Sequence, residues 1–474
     1  MMLFHLMHSD LWGDEWVEYY YSQEAIRTGA LYNKIILTFQ PPLYNYLMHF
    51  WLKISTTLLW FRLFNVVLGC FSFGFLYGTL SILINRKVAA IVPCILAICY
   101  QWIYCIQECS EYALMLCCVF GAIMFYVKCY EKFNYLRMIG FILCNVLAIY
   151  SQYGSVFVVL PLLLLFFFEY GLKKQTNKKT KIIVFSSYIF SAVVFAAPLY
   201  FKFAKLQLEH NQIAENTVGI SSDLFNDMPF TFGKIISYLF HVNSNDYWPL
   251  ILGMLGVILF AISLHLIKDE KIETVKKSLL AGLWSGYILH YLLVQFHVYA
   301  MVHPNQSAGF LSRYSYFYIP IIFVVLPVII NEYVKRHKSE KSLKRYICLL
   351  LGGTLILTSA VTTLKNWNKT YDRQFAKIWM QNEGWKDTTY LYGVAYFGFD
   401  YYVSHSDNYQ EGYLDNATTE VDDENLPKRF WAWRTGWSGD GWQVTVDKAK
   451  ELGYTVDIYY DYSSAGQLAY CYIE

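Results

Sequence analysis

Acidic and basic side chains are scarce in the apolar part of this chain, so the few that interrupt it are the first candidates for chemistry. Leu11-Trp-Gly-Asp-Glu-Trp-Val-Glu18 sets Asp14 and Glu15 side by side. Adjacent carboxylates at the mouth of a hydrophobic bundle can supply a general base for a hydroxyl nucleophile. On the residues alone the plainer reading of Asp14 is the N-cap of an amphipathic helix that lies on the membrane and closes near Gly29. Phe39-Gln-Pro-Pro-Leu-Tyr44 places Gln40 and Tyr44 around a proline pair, which forces an extended entry before a second interfacial helix resumes at Leu43. Aromatic-rich segments at that depth are also ordinary interfacial belts. In Tyr104-Cys-Ile-Gln-Glu-Cys-Ser-Glu-Tyr-Ala-Leu114, Glu108 and Glu111 interrupt two apolar runs. Each would cost about 2.5–3.5 kcal/mol at a bilayer centre, so they sit at a surface or line a wet cavity. A solvated turn is the plain alternative. Gln152 and Tyr153 occupy a polar turn, Tyr150-Ser-Gln-Tyr-Gly154, and Arg313-Tyr314 open a later apolar run. Arg313 is the only basic residue in its loop; a guanidinium there suits a phosphate, which it grips bidentately. Snorkelling to ordinary anionic lipid is the competing explanation.

Positioning these residues is the task of a chain that is 56% hydrophobic, 19% aromatic and only 16% charged over 474 residues. Soluble domains carry about 25% charged residues, so the class is a membrane protein, and a net charge of +2 with no long basic run gives nucleic acid nothing to bind. Apolar runs near 58–84, 88–106, 111–130, 135–153, 154–170, 182–201, 248–268, 278–300, 314–333 and 346–364 mostly reach the roughly 20 residues a spanning helix needs. Their hydrophobicity is continuous rather than alternating, which specifies helices and not a barrel. The expected fold is a polytopic α-helical membrane protein of about ten spans. Just over half of the 38 basic residues lie in alternate short loops, which the positive-inside rule assigns to the cytoplasm. The opposite loops, holding every candidate above, then face outward. Both ends of the chain fall outside on this count, so a first span is expected to be missing before Met1.

After residue 365 the character changes. Residues 366–474 hold nine Lys/Arg against seventeen Asp/Glu and no spanning run. Segments 389–395, 429–433, 455–460 and 468–473 read as strands and 446–452 as a helix ended by Gly453. The expected division is a membrane domain over 1–365, with the first outer loop at 1–57 and spans over 58–364, and an extracytoplasmic acidic α/β domain over 366–474. Cys105 and Cys109 read as core-filling thiols, and His290 and His297 as satisfied interior histidines. Nucleotide-binding glycine loops, an Asp-x-Asp pair of the nucleotide-sugar type and a His-Glu-x-x-His signature are all absent from the sequence. An outward site therefore needs a substrate supplied without cytosolic nucleotides.

Taken in order, these segments resemble the GT-C superfamily of membrane glycosyltransferases, in particular bacterial relatives of dolichyl-phosphate-mannose–protein mannosyltransferases. Members carry a Leu-Trp-x-Asp-Glu segment, matched by Leu11–Glu15, and a His-Pro-Pro-Leu-Tyr segment, matched by Gln40–Tyr44. A Ser-Gln-Glu-Ala-Arg-x-Tyr-Ala-Leu turn is matched by Ile106–Leu114 and an Arg-Tyr span start by Arg313-Tyr314. Gln40 stands where the family has His, and Ser110 where its turn has Arg. The resemblance implies a polyprenyl-phosphate-linked sugar donor and a glycan, lipid or protein acceptor. Asp14 is then the catalytic base, with Glu15 shaping the site. Glu108 contacts the sugar or supports Asp14, and Arg313 holds the phosphate. Glu111, Tyr314, Gln40, Tyr44, Gln152 and Tyr153 are further donor contacts. The expected reaction moves a hexose-type sugar to an acceptor hydroxyl in one displacement, inverting the anomeric carbon. No cofactor is assigned, and a divalent metal stays open. The other classes that this sequence allows are a transporter or flippase of lipid-linked sugars and a non-catalytic membrane scaffold.

Overall fold

The computed structural model describes residues 10–11, 13–38, 40–173, 176–211, 232–237, 247–295, 315–336, 371–393, 395–406, 409–422, 424–435, 441–461 and 466–473. The chain divides into two compact units. One is dominated by Glu24–Lys365; the other joins an N-terminal segment ending at Gln23 to Asn366–Glu474. The division thus differs from the expected one at the N-terminus. The helix α1 (Gly13–Tyr21), expected on the membrane as part of the first outer loop, packs instead with the C-terminal strands and helices.

In the first unit the helices α2 (Ala30–Ile36) and α3 (Leu43–Leu52) precede α4 (Leu58–Leu83), which starts where the Thr57 hydroxyl accepts from the Trp60 amide. Gly29 adopts φ +76°, so it opens α2 rather than closing α1, which stops at Tyr21. At the α3–α4 corner Trp51 and Trp60 stack at 4.3 Å, and each indole N–H donates to the other's carbonyl at 2.7 and 2.9 Å. Paired indoles of this kind suit a membrane–water boundary, where one end is apolar and the other wet.

The expected run at 88–106 is not one straight helix. It is α5 (Arg86–Leu96) and α6 (Tyr100–Gln107), bent by 69°. Pro93 weakens the helix before the break, and Cys99 is extended at φ −72°, ψ 124°. The central α7 (Tyr112–Glu131) is almost wholly buried and packs against α4 and α8 (Tyr135–Ser151). Extended Gln152 separates α8 from α9 (Tyr153–Leu172), so the two runs flanking the polar turn are distinct helices. Then come α10 (Lys178–Glu209), α11 (Tyr247–Lys268), α12 (Thr274–Gln295) and α13 (Tyr318–Arg336). Lys276 is buried in α12 and pairs with Glu332 of α13 at 3.0 Å.

Among the described residues six helices are long and apolar enough to cross a membrane, seven if the bent pair counts as one span. The expected span 346–364 lies outside the described residues. Helix α10 shows why lipid must be the solvent. Ile182, Phe185, Ile189, Phe190, Val193 and Phe201 are all exposed along it, a surface water would not tolerate. The chain is a polytopic α-helical membrane protein.

In the second unit α14 (Tyr371–Gln381), α15 (Ala395–Ser404) and α16 (Gly441–Glu451) cover a five-stranded sheet. Its strands are β1 (Thr388–Gly393), β2 (Ala417–Thr418), β3 (Arg429–Thr435), β4 (Thr455–Asp461) and β5 (Gly466–Tyr472), in the order β2-β1-β3-β5-β4. β1 runs parallel to β2 and β3, whereas β5 is antiparallel to β3 and β4. Side chains alternate across the sheet. Leu391, Trp431, Trp433 and Leu468 therefore meet Phe375, Trp379 and Phe399 on one face, while Tyr390, Phe430, Ala432 and Ala469 meet Trp442 and Val446 on the other. Gly453 at φ +86° ends α16, and the Tyr454 amide closes back onto the Ala449 carbonyl at 3.0 Å.

Candidate active site

Helix α1 begins at Gly13, so Asp14 lies inside the first turn rather than at the cap, next to Glu15. The exposed amides of a helix start favour negative charge there. Asp14, Val17, Tyr20 and Tyr21 are partly exposed, whereas Gly13, Glu15, Trp16, Glu18 and Tyr19 are buried. Asp14 thus stands on the open stripe of the helix. Trp16 is fully buried against Tyr401 and Tyr402 of α15, at ring distances of 5.4 and 5.9 Å. Tyr20 stacks on Phe397 at 5.0 Å, and its hydroxyl donates to Asp400 Oδ2 at 2.8 Å. Ahead of the helix, buried Asp10 accepts from the Arg373 amide at 3.0 Å and the Tyr402 hydroxyl at 2.7 Å, with the Arg373 guanidinium at 3.4 Å.

Beneath this corner lies Asp372, fully enclosed. The Trp433 indole N–H donates to its Oδ1 at 3.3 Å. Burial, reinforced by the negative charge of Asp10, pushes the Asp372 carboxyl up to about 8; Trp433, Thr435 and Trp16 pull the other way. Gly398 makes room for it, since a Cβ there would stand 2.2 Å from Asp372 Oδ2. Gly398→Ala is accordingly expected to destabilise the sheet unit by about 1–3 kcal/mol, the usual cost of overpacking. Faster hydrogen exchange in β1 and β3 would report it; unchanged protection would show that the carboxyl moves freely.

In the first unit, Glu108 and Glu111 are buried at 4% and 1% exposure, so the turn between α6 and α7 is not a solvated one. Asn65 of α4 donates through Nδ2 to the Glu108 carbonyl at 2.5 Å and to the Ser110 carbonyl at 3.3 Å. Arg62, three residues earlier on the same helix face, is also buried. The same turn meets the start of the later span. Tyr112 packs edge-to-face on Tyr316 at 5.2 Å, and the Tyr316 hydroxyl donates to Gln101 Oε1 at 2.8 Å. Arg313 and Tyr314 themselves lie outside the described residues. Asn65→Ala would remove a donor from two buried carbonyls, of which that of Glu108 keeps the Ser110 N–H at 3.0 Å, at a cost of about 1 kcal/mol. It should lower the melting temperature of the full chain in detergent; an unchanged melting point would mean that the turn is held elsewhere.

Gln207, near the end of α10, organises a second cluster. Its Nε2 donates to the Gln40 carbonyl at 2.8 Å and the Ile35 carbonyl at 3.0 Å, while its Oε1 accepts from the Tyr153 hydroxyl at 2.8 Å. Gln40 and Tyr153, expected as donor contacts, are thereby joined through one side chain. Tyr44 and Gln152 are buried, Tyr44 edge-on to Phe64. Asp14 and Glu15 belong to the other unit. Arg62, Asn65, Gln207, Asp10 and Asp372 escaped the sequence reading. An ionisable residue inside a span is a functional signal in itself and would have found Arg62; the amides carry no such signal. Among the described residues, no three His, Cys, Asp or Glu side chains converge to hold a metal ion.

Residues 39–201 match the family model described as dolichyl-phosphate-mannose-protein mannosyltransferase. No curated protein matches the chain. Among solved structures it is similar to ArnT from Cupriavidus metallidurans in the apo state, at 12% identity and TM-score 0.49, over 99% of this chain and 95% of that one. The same protein bound to undecaprenyl phosphate gives 11% and 0.44 over the same shares. The Archaeoglobus fulgidus oligosaccharyltransferase in complex with Zn and sulfate gives 11% and 0.42, over 91% of this chain and 64% of that one. None of the three reaches a TM-score of 0.5. The chain resembles a GT-C membrane glycosyltransferase of the mannosyltransferase-like kind.

Proposed function

We propose, with that resemblance as the premise, that this membrane protein transfers a hexose-type sugar from a polyprenyl-phosphate donor to an acceptor hydroxyl at the outer face of the membrane. The observation that carries the reading is the family-model match over residues 39–201, which takes in Gln40, Tyr44, Glu108, Glu111, Gln152 and Tyr153. Asp14 takes the proton from the acceptor hydroxyl as its oxygen attacks the anomeric carbon. The bond from that carbon to the phosphate oxygen breaks, and the electron pair leaves with the polyprenyl phosphate. Arg313 stabilises the charge that develops on the phosphate. Glu15 shapes the carboxylate pair, and Glu108 and Glu111 contact the sugar. A single displacement inverts the anomeric configuration. A polyprenyl phosphate is a leaving group already resident in the membrane, so the outer face needs no nucleotide. The C-terminal sheet unit and the loops that carry the site lie on that outer face.

The test is reconstitution of the full chain in liposomes with undecaprenyl-phosphate-linked hexose and a cell-envelope extract as acceptor. Release of free undecaprenyl phosphate together with labelled acceptor is the expected result. Movement of the lipid-linked sugar across the bilayer without transfer would replace this reading by the transporter.

A further inference from the structure

We propose that the C-terminal strands and helices position Asp14 for the transfer step, so that the acidic unit is part of the catalytic apparatus and not an appendage to it. The inference rests on the reading of Asp14 as base and adds to it the residues that hold the base in place.

Three anchors, one before Asp14, one two residues after it and one six residues after it, tie α1 to segments some 360 to 390 positions away. Asp10, four residues upstream, is gripped by the Arg373 amide and the Tyr402 hydroxyl. Trp16 is enclosed against Tyr401 and Tyr402. Tyr20 is held by Asp400, and its ring by Phe397. A nine-residue helix is marginal by itself, because nucleation is costly and few bonds follow it. Its persistence and its rotation about its own axis therefore come from these contacts. The rotation decides what Asp14 does. With Trp16 buried against α15 and the partly exposed Tyr20 held on it, Asp14, Val17 and Tyr21 form a partly exposed stripe on the rest of the helix. A turn of a single residue would carry the carboxylate about 100° around the helix, since 3.6 residues complete a turn.

The chemistry is sensitive to such a displacement. A base acts only within hydrogen-bond reach of the proton it takes. A misplacement of about 1 Å can cost on the order of 10²-fold in rate. Tyr402, Tyr20 and Asp400 are then positioning residues, which act through Asp14 and touch no substrate.

Tyr20→Phe and Tyr402→Phe each remove one hydroxyl and keep the ring, so they spare the packing while releasing Asp400 or Asp10. In the full chain each is expected to lower kcat about tenfold while KM for the lipid-linked donor stays as it was. Neither should lower kcat further once Asp14→Asn is present. A purely structural role would show as a fall in melting temperature or a rise in KM, with the same fold-loss in the Asp14→Asn background. If Asp14→Asn abolishes transfer but both Phe variants keep the wild-type kcat, the positioning role is overturned and the reading of Asp14 stands. If Asp14→Asn retains full transfer, the base assignment falls and the positioning role with it. Loss of kcat that is equal with and without Asp14 would also overturn the proposal.

Discussion

Asp14→Asn is expected to lower sugar transfer by about 10²- to 10⁴-fold, the contribution typical of a positioned general base. The amide is isosteric with the carboxylate and keeps its place in the first turn of α1, but it cannot accept the acceptor's proton. Asp14 sits on the partly exposed stripe of α1, and the anchors of the helix are Asp10, Trp16 and Tyr20, so the substitution leaves those anchors in place. Donor binding should therefore survive: KM for undecaprenyl-phosphate-linked sugar stays near wild type while kcat collapses. Steady-state assay of purified chain in liposomes separates the two constants. Transfer at the wild-type rate would remove Asp14 from the mechanism. The neighbouring Glu15 is buried, and Glu15→Gln is a change of a different kind, in which loss of activity should come with loss of stability.

The second large effect is one of stability against pH. Asp372 is held protonated in the folded protein up to about pH 8, against 3.8 for an ordinary aspartate. The folded state thus binds a proton that the unfolded chain has already released. Stability from this group is complete below about pH 4, falls as pH rises through the interval to about 8, and changes no further above it. Each tenfold difference in proton affinity between the folded and unfolded chain is worth about 1.36 kcal/mol, so the loss across the interval is on the order of 6 kcal/mol as an upper bound. Asp372→Asn carries no charge at any pH and can still accept the Trp433 N–H. It should equal the wild type near pH 4 and exceed it by several kcal/mol at pH 9. Hydrogen exchange of β1, β3 and β5 amides, followed from pH 5 to 9 with correction for intrinsic exchange, reads this in the unit concerned. Parallel profiles for the two chains would show that Asp372 ionises normally in its site.

Much of the architecture was legible in the sequence because the signals are local. Continuous apolar runs bounded by charge marked the helices α4, α7, α11 and α13 to within a few residues, since a bilayer-spanning helix must satisfy its own backbone within one segment. The strands β1, β3, β4 and β5 stood out for the same reason, as short β-branched and aromatic runs between turn residues. Where local rules compete, the pattern misleads. Pro93 and the residues before Tyr100 look as apolar as their neighbours, yet the chain breaks there by 69°. Helix α16 starts at Gly441, five residues before the run at Val446, where hydropathy gives no cue.

The composition and local pattern of the sequence establish the solvent and the candidate chemistry. Its apolar excess demands a bilayer, and its few carboxylates, Asp14, Glu15, Glu108 and Glu111, stand out against that background. Tertiary structure alone decided what each of these belongs to. Glu108 and Glu111 are buried in a turn to which Asn65, 43 and 45 positions before the carbonyls it meets, donates twice. Gln40 and Tyr153 are joined by Gln207. Most of all, α1 joins the C-terminal sheet unit through Tyr20–Asp400 and Asp10–Tyr402, pairs separated by 380 and 392 positions. Hydropathy and periodicity report what one segment buries, not which distant segment buries it, because pairings across hundreds of residues are chosen by packing and charge in the folded chain.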